Sequence, residues 1–447
     1  MKPPFDVRLL TAPRTHVTAQ PFKSDSVANI MLAADDTKHH DLRNGRAPWK
    51  DGHRPARAIL EEDRRCEVLV VGAGITGSLM AEHLTALGHQ VCIVDRERAG
   101  LGSTAASTAL LLWEIDRSLG ILADLYGFER AARVYRQSLR ALSGLKTLVR
   151  ARGVRCALRD CSSLYLAAGS IGDRELRAEH EVRTRAGLPG ILLGHRTLLG
   201  EFGFDREAAI LSPFAADADP LCLAHGLLAA AAAAGACVID GDAVDYQNAG
   251  RRVGVTLDSG HAIEADWVVL ATGYVMPDIV KSDLHRMSSS WALATPAQPP
   301  ERRWRDGILP WEATQNYLYA RTTTDKRIIV GGEDDASVID SEKREAATPG
   351  KTKAILARLK ALFPRAEARA DVVWSGVFGT TGDGLPLIGA VPGCPRLLAA
   401  YGYGGNGITF GFLASRLLAG LIGGRHEAWY DDFRLERPRP KALDAGG

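Results

Sequence analysis

Short unbroken apolar runs alternate with helically spaced ones along this chain. Glu67–Val71 and Gln90–Val94 predict fully buried strands, and between them apolar residues fall at 75, 79, 80, 84 and 87, the helical period. Gly88 closes that helix, so roughly thirty residues predict a β-α-β unit. Helical spacing returns over 116–150 through Ile121, Leu122, Leu125, Phe128, Val134, Leu139, Leu142 and Leu145. It returns again over Leu221–Ala234, Thr352–Leu362 and Ile408–Leu421. Strands are predicted at Cys237–Ile239, Val253–Leu257 and Trp267–Ala271, and at Gln315–Ala320 and Arg327–Val330 around a polar turn at 323–326. Residues 1–58 lack such periodicity and are rich in proline, histidine and charge, which predicts an extended or partly disordered leader.

Composition narrows the function class. The 447 residues carry 55 basic and 53 acidic side chains, a net charge of +2, so no global footprint for nucleic acid or anionic lipid is expected. The seven cysteines form no CxxC pair and are odd in number, which argues against a disulfide framework or zinc site and for a reducing, cytoplasmic compartment. No metal is expected. No apolar signal-type stretch precedes residue 60. Leu221–Ile239 and Leu397–Ile422 are apolar, but glycines and polar residues such as His225 and Arg416 interrupt them, so neither is expected to span a bilayer.

Four motifs carry chemistry. Gly72-Ala73-Gly74-Ile75-Thr76-Gly77 has the context a dinucleotide fingerprint requires: strand before, helix after, then a second strand ending in Asp95. Gly72 serves the tight turn, Gly74 lets backbone approach a pyrophosphate, and Gly77 lets the helix pack closely. The helix N-terminus, with Ile75 and Thr76, offers free N–H groups to phosphates, and Asp95 is placed for ribose hydroxyls. The small, hydroxylated loop with Gly102, Ser103 and Thr104 suits a diphosphate and a planar ring. A buried strand ends in Thr272-Gly273, where backbone approaches a ligand. Last, Asp383–Gly389 precedes Gly402–Ile408, in which Gly405, Asn406, Gly407 and Ile408 open a helix whose N–H groups favour negative charge.

These four, in this order, resemble the FAD-dependent oxidoreductases of the D-amino-acid oxidase superfamily, over about 66–424. The stretches Trp374-Ser375-Gly376 and Thr381-Gly382-Asp383-Gly384-Leu385-Pro386-Leu387-Ile388-Gly389 are the specific ones beyond the first motif. The resemblance implies an α/β fold: a Rossmann-like FAD-binding domain of the glutathione-reductase type with a second, mixed-sheet α+β substrate domain. It places the FAD-binding domain at 59–115, 206–275 and 380–426, the substrate domain at 116–205 and 276–379, and a C-terminal tail at 427–447. Arg96 and Val244 complete the candidate cofactor contacts. The implied reaction is hydride removal from the carbon beside an amine of a small molecule, with an electron acceptor the sequence does not identify.

Two departures refine this. Phe378 stands where amino-acid oxidases of the group carry an arginine for the substrate carboxylate, which argues for an amine rather than a simple α-amino acid. No cysteine lies in Gly376–Gly379 and no histidine in Ser103–Ala109, so FAD is expected to be non-covalent. Arg321 is the leading candidate for a polar contact to flavin or substrate, against a solvated strand-end arginine or an ion pair with Asp383. Tyr319, Trp374 and Phe378 are candidates for an apolar pocket wall. An NAD-dependent dehydrogenase, a non-catalytic FAD-binding protein and a tRNA-modifying amine oxidase remain as alternatives.

Overall fold

In the computed structural model residues 41–50, 52–280 and 284–437 are described. Their strands form two sheets. The first is built on the predicted β-α-β unit. Arg64–Val71 runs parallel to Val91–Asp95 on one side and to Ala262–Leu270 on the other. Cys237–Asp240 extends it in parallel beyond Val91–Asp95, and Cys394–Tyr401 pairs in parallel with Ala262–Leu270. Parallel strands need both faces covered, which explains their continuous apolar runs. Helices Ile75–Ala86, Pro220–Ala233 and Gly407–Ile422 supply cover, with Leu79, Leu84, Leu227 and Leu417 in a common core with Val68 and Val70. The stretch Gly404–Ile422 is apolar enough to cross a membrane by length and composition, but 72% of it is buried inside the protein.

The second sheet is mainly antiparallel. Its central order is Val372–Thr381, His285–Ala294, Ile328–Asp335, Tyr319–Thr322, Ile308–Ala313, Arg159–Ala167 and Ala208–Asp217. Ile308–Ala313 is parallel to Arg159–Ala167, so the sheet is mixed. Helix Ser341–Leu362 packs on it through Ile355, Leu359 and Leu362 against Leu293 and Val330.

Several expectations are corrected. The segment expected as a leader supplies Arg43–Gly45, an edge strand paired with Trp374–Gly376, and Ala58–Ile59, which pairs with Ile239–Asp240. Strands of two or three residues at sheet edges are too short to show an alternation, so no pattern marked them. Residues 1–40 and 438–447, the latter in the expected tail, lie outside the described residues. Ala208–Asp217 and Leu110–Leu111, expected with the cofactor domain, join the second sheet. The single helix expected over 116–150 is two, Leu119–Tyr126 and Phe128–Ala151, broken at Gly127 with φ +82°. The helix expected from Thr352 begins at Ser341, where the Asp340 carboxylate accepts from the N–H groups of Glu342 and Lys343.

Candidate active site

The glycine motif connects the C-terminal end of Arg64–Val71 to its helix. Gly72 has φ +106°, and a Cβ there would lie 2.4 Å from the Ala271 carbonyl oxygen. A Cβ on Gly77 would lie 1.7 Å from the Gly72 carbonyl oxygen, so helix and loop touch through bare backbone. The helix starts after Gly74, which has no side chain to cap it, so the first-turn N–H groups other than that of Ile75 are left for a ligand. Thr104 Oγ1 accepts from the Ile75 N–H at 2.9 Å and ties the second motif to the first. Asp95 accepts from the N–H groups of Ala73 at 2.5 Å and Glu97 at 2.8 Å, and burial pushes its carboxyl up to about 6.

These elements open into a cavity of about 720 Å³ between the two sheets. It collects every candidate cofactor residue except Gly77: Gly72, Gly74, Ile75 and Thr76; Asp95 and Arg96; Gly102, Ser103 and Thr104; Val244; Thr272 and Gly273; and Gly405, Asn406, Gly407 and Ile408. Gly77 stands behind the wall, supporting the turn. Helix Gly407–Ile422 also begins at the cavity without a side-chain cap. Asn406 Nδ2 donates to the Glu114 carbonyl, and the Gly405 N–H donates to Asp116 Oδ2 at 2.8 Å.

The other wall comes from the second sheet. Five neighbouring strands each send a side chain to it: Phe378, Ser290, Asp334, Tyr319 and Trp311, in that order across the sheet. Tyr317, in the turn before Tyr319, joins them, with its ring centroid 6.2 Å from that of Trp311 and 5.7 Å from that of Tyr319. The expected wall residues Tyr319, Trp374 and Phe378 all reach the cavity. Burial pushes the Asp116 carboxyl up to about 6, with the Asp334 charge adding to the shift, and burial also pushes Asp334 up. Among the described residues lining the cavity Arg96 is the sole lysine or arginine, and it sits at the nucleotide end, paired with Asp41 at 2.5 Å.

Arg321 is not part of this wall. Its side chain is buried in the second sheet, where Nη2 donates to the Ala218 carbonyl at 2.9 Å and Nη1 lies 3.4 Å from Asp217 Oδ2. The ion pair with Asp383 is not formed either. Asp383 is held by Arg437, with Nε to Oδ2 at 2.8 Å. Arg321 shares the sheet face of Tyr319, two residues before it on the same strand, but lies further along that strand, packed by Trp49 and Asp217 instead of at the cavity. Sequence reasoning missed Glu114, Asp116 and Asp334. Asp334 lies within Glu333-Asp334-Asp335 and Glu114 two residues from Asp116, and no spacing distinguishes such acids from solvated ones.

The site suits FAD on its own evidence. Two uncapped helix N-termini face one long cavity, bare glycine backbone lines its nucleotide end, and Ser103 Oγ is buried there without a hydrogen-bond partner. Among the described residues no cluster of His, Cys, Asp or Glu could hold a metal ion. The family model described as FAD dependent oxidoreductase matches residues 67–421. The gamma-glutamylputrescine oxidoreductase of Escherichia coli (strain K12) is 26% identical over 385 residues, covering 84% of this chain and 87% of that protein. The glycine oxidase of Bacillus licheniformis is 25% identical over 399 residues, covering 84% of this chain and 98% of that one. In fold, the chain superposes on the crystal structure of glycine oxidase from Geobacillus kaustophilus with a TM-score of 0.72 at 22% identity, over 84% of this chain and 100% of that one. The nicotinamide reading of the glycine motif is thereby set aside, and the chain belongs to the family of FAD-dependent oxidoreductases whose model it matches over most of its length.

Proposed function

We propose that this oxidoreductase acts on the C–H bond beside the nitrogen of a small amine. The carrying observation is the charge of the cavity wall. Among the described residues nothing basic lines it apart from Arg96 at the nucleotide end, and Phe378 stands where the family resemblance expects a carboxylate-binding arginine. A carboxylate brought there would be desolvated without a cationic partner, so a small α-amino acid is disfavoured. Relatives that act on glycine or gamma-glutamylputrescine, by their names, fit an amine or amino-acid chemistry in general.

Gly72, Gly74, Ile75, Thr76, Asp95, Ser103 and Thr104 would hold the nucleotide part of FAD, and Gly405–Ile408 would border its ring, with the first N–H groups of helix Gly407–Ile422 turned toward it. Bound FAD supplies the two-electron acceptor for the C–H hydride. Trp311, Tyr317, Tyr319 and Phe378 exclude water from the reacting carbon. The uncapped N-terminus of Gly407–Ile422 provides positive potential where negative charge develops. The seven cysteines are all free, which supports the reading of a reducing, cytoplasmic compartment.

The test is an anaerobic screen of the holoenzyme, following the flavin absorbance. Alkylamines are expected to bleach it faster than glycine, sarcosine or D-alanine at equal concentration. Faster bleaching by any of those three acids overturns the proposal.

A further inference from the structure

The acids at the second-sheet end of the cavity are more than the oxidation of a single amine requires. Asp116, from the segment before helix Leu119–Tyr126, and Asp334, from strand Ile328–Asp335, both line it, and the Asp334 charge disfavours ionisation of Asp116. Asp334 Oδ1 is shielded from solvent and accepts no hydrogen bond. Glu114 also lines the cavity, is 1% exposed, and keeps Oε2 without a partner. Lys351 and Arg358 act on Asp334 through space and Arg183 pairs with Glu114, but their hydrogen bonds go to other groups. Lys351 Nζ donates to the Glu333 carbonyl and Asp335, Arg358 to Glu333, Glu312 and the Asn316 carbonyl, and Arg117 Nε to the Gly382 carbonyl. Arg183, 3.8 Å from Glu114 Oε1, is held at 2.7 Å by Glu179. Beside the two aspartates stand Trp311, Tyr317 and Tyr319, whose ring faces attract cations.

Resting on the amine reading above, we propose that the substrate carries a second, non-reacting cation, as a diamine or polyamine does, and that Asp116 and Asp334 hold that ammonium against Trp311, Tyr317 and Tyr319. The reacting nitrogen is the wrong occupant for this place. As the hydride leaves the carbon, the nitrogen lone pair becomes the second bond of C=N, and an ammonium has no lone pair to give. Carboxylates around the reacting nitrogen would hold it in its unreactive protonated form. Around a remote nitrogen they stabilise the charge it keeps. An ammonium between them also offsets the burial that raises both carboxyls and the Asp334 charge that adds to the shift of Asp116.

The test compares 1,4-diaminobutane, its mono-N-acetyl derivative and n-butylamine as anaerobic reductants of the holoenzyme, with tetramethylammonium as a cation that cannot be oxidised. The diamine is expected to give an apparent Kd at least tenfold below those of the acetylated and single amines. Asp334→Asn should raise the diamine Kd about tenfold and leave that of butylamine within twofold. Tetramethylammonium should perturb the flavin spectrum of the wild type and do so more weakly in Asp334→Asn. Equal affinity for the three amines, or an Asp334→Asn effect shared by all of them, overturns the second-cation proposal and leaves amine oxidation standing. If no amine bleaches the flavin, amine oxidation fails. Tetramethylammonium binding that depends on Asp334 still upholds the cation site in that case, and its absence overturns it.

Discussion

Replacing Arg321 by alanine separates a structural arginine from a substrate-binding one. Its side chain is 4% exposed and Asp217 is 1% exposed. The substitution removes a charged hydrogen bond to the Ala218 carbonyl, one of two guanidinium partners of Asp217, and the stem packed beside Trp49. Breaking a buried ion pair outright costs about 3–5 kcal/mol. Here Asp217 keeps Arg159, whose Nε donates to Oδ1 at 2.9 Å, so the carboxylate is not abandoned. The lost hydrogen bond to Ala218 adds about 1.5–3 kcal/mol on its own. With the pair only partly broken, we expect a total loss of about 3 kcal/mol of stability. Urea unfolding of wild type and variant measures that loss. Anaerobic flavin reduction by the preferred amine, on the folded variant at low temperature, measures the site. The expected result is lowered stability with an apparent amine Kd within twofold of wild type. Stability within about 0.5 kcal/mol of wild type, the size of an ordinary surface change, together with a tenfold weaker amine, refutes the placement of Arg321 behind the wall.

Gly77→Ala should abolish stoichiometric FAD binding, because the new Cβ meets the Gly72 carbonyl oxygen at 1.7 Å and neither backbone can yield without opening the turn; a purified variant with the wild-type ratio of flavin to protein absorbance would contradict this. Acid precipitation should release all flavin to the supernatant, since Gly376–Gly379 lacks cysteine and Ser103–Ala109 lacks histidine; yellow colour in the pellet would reveal a covalent bond. Cation binding should weaken as pH falls through about 6, where Asp116 gains its proton and becomes neutral. The groups that act on Asp116 are the Gly405 N–H, Asp334 and Arg117. A tetramethylammonium titration of the flavin spectrum between pH 5 and 8 checks this, and affinity that is flat or rises toward acid would refute it.

The cofactor half of this protein was legible along the chain because its signals are local. Gly72, Gly74 and Gly77 act within one turn of backbone, and Asp95 ends the next strand, so spacing alone carried the geometry. Continuous apolar runs marked the parallel strands because a strand buried on both faces has no polar side to show. The boundaries were harder. Arg43–Gly45 and Ala58–Ile59 are short strands whose partners lie far away at Trp374–Gly376 and Ile239–Asp240, and nothing in their own residues announces those partners. At the substrate end the sequence offered the apolar wall of Tyr319, Trp374 and Phe378, but its acids belong to tertiary structure. Asp116 and Asp334 come from distant segments, and only the second sheet brings Asp334 to the cavity that Asp116 also lines. Arg321 and Phe378 sit on strands of that same sheet, yet Phe378 reaches the cavity and Arg321 does not. Arg321 shares its sheet face with Tyr319, two residues earlier, and stays out of the cavity because its stretch of strand is covered by Trp49 and Asp217; which stretch borders a cavity is set by contacts between distant segments and not by the residues of one strand.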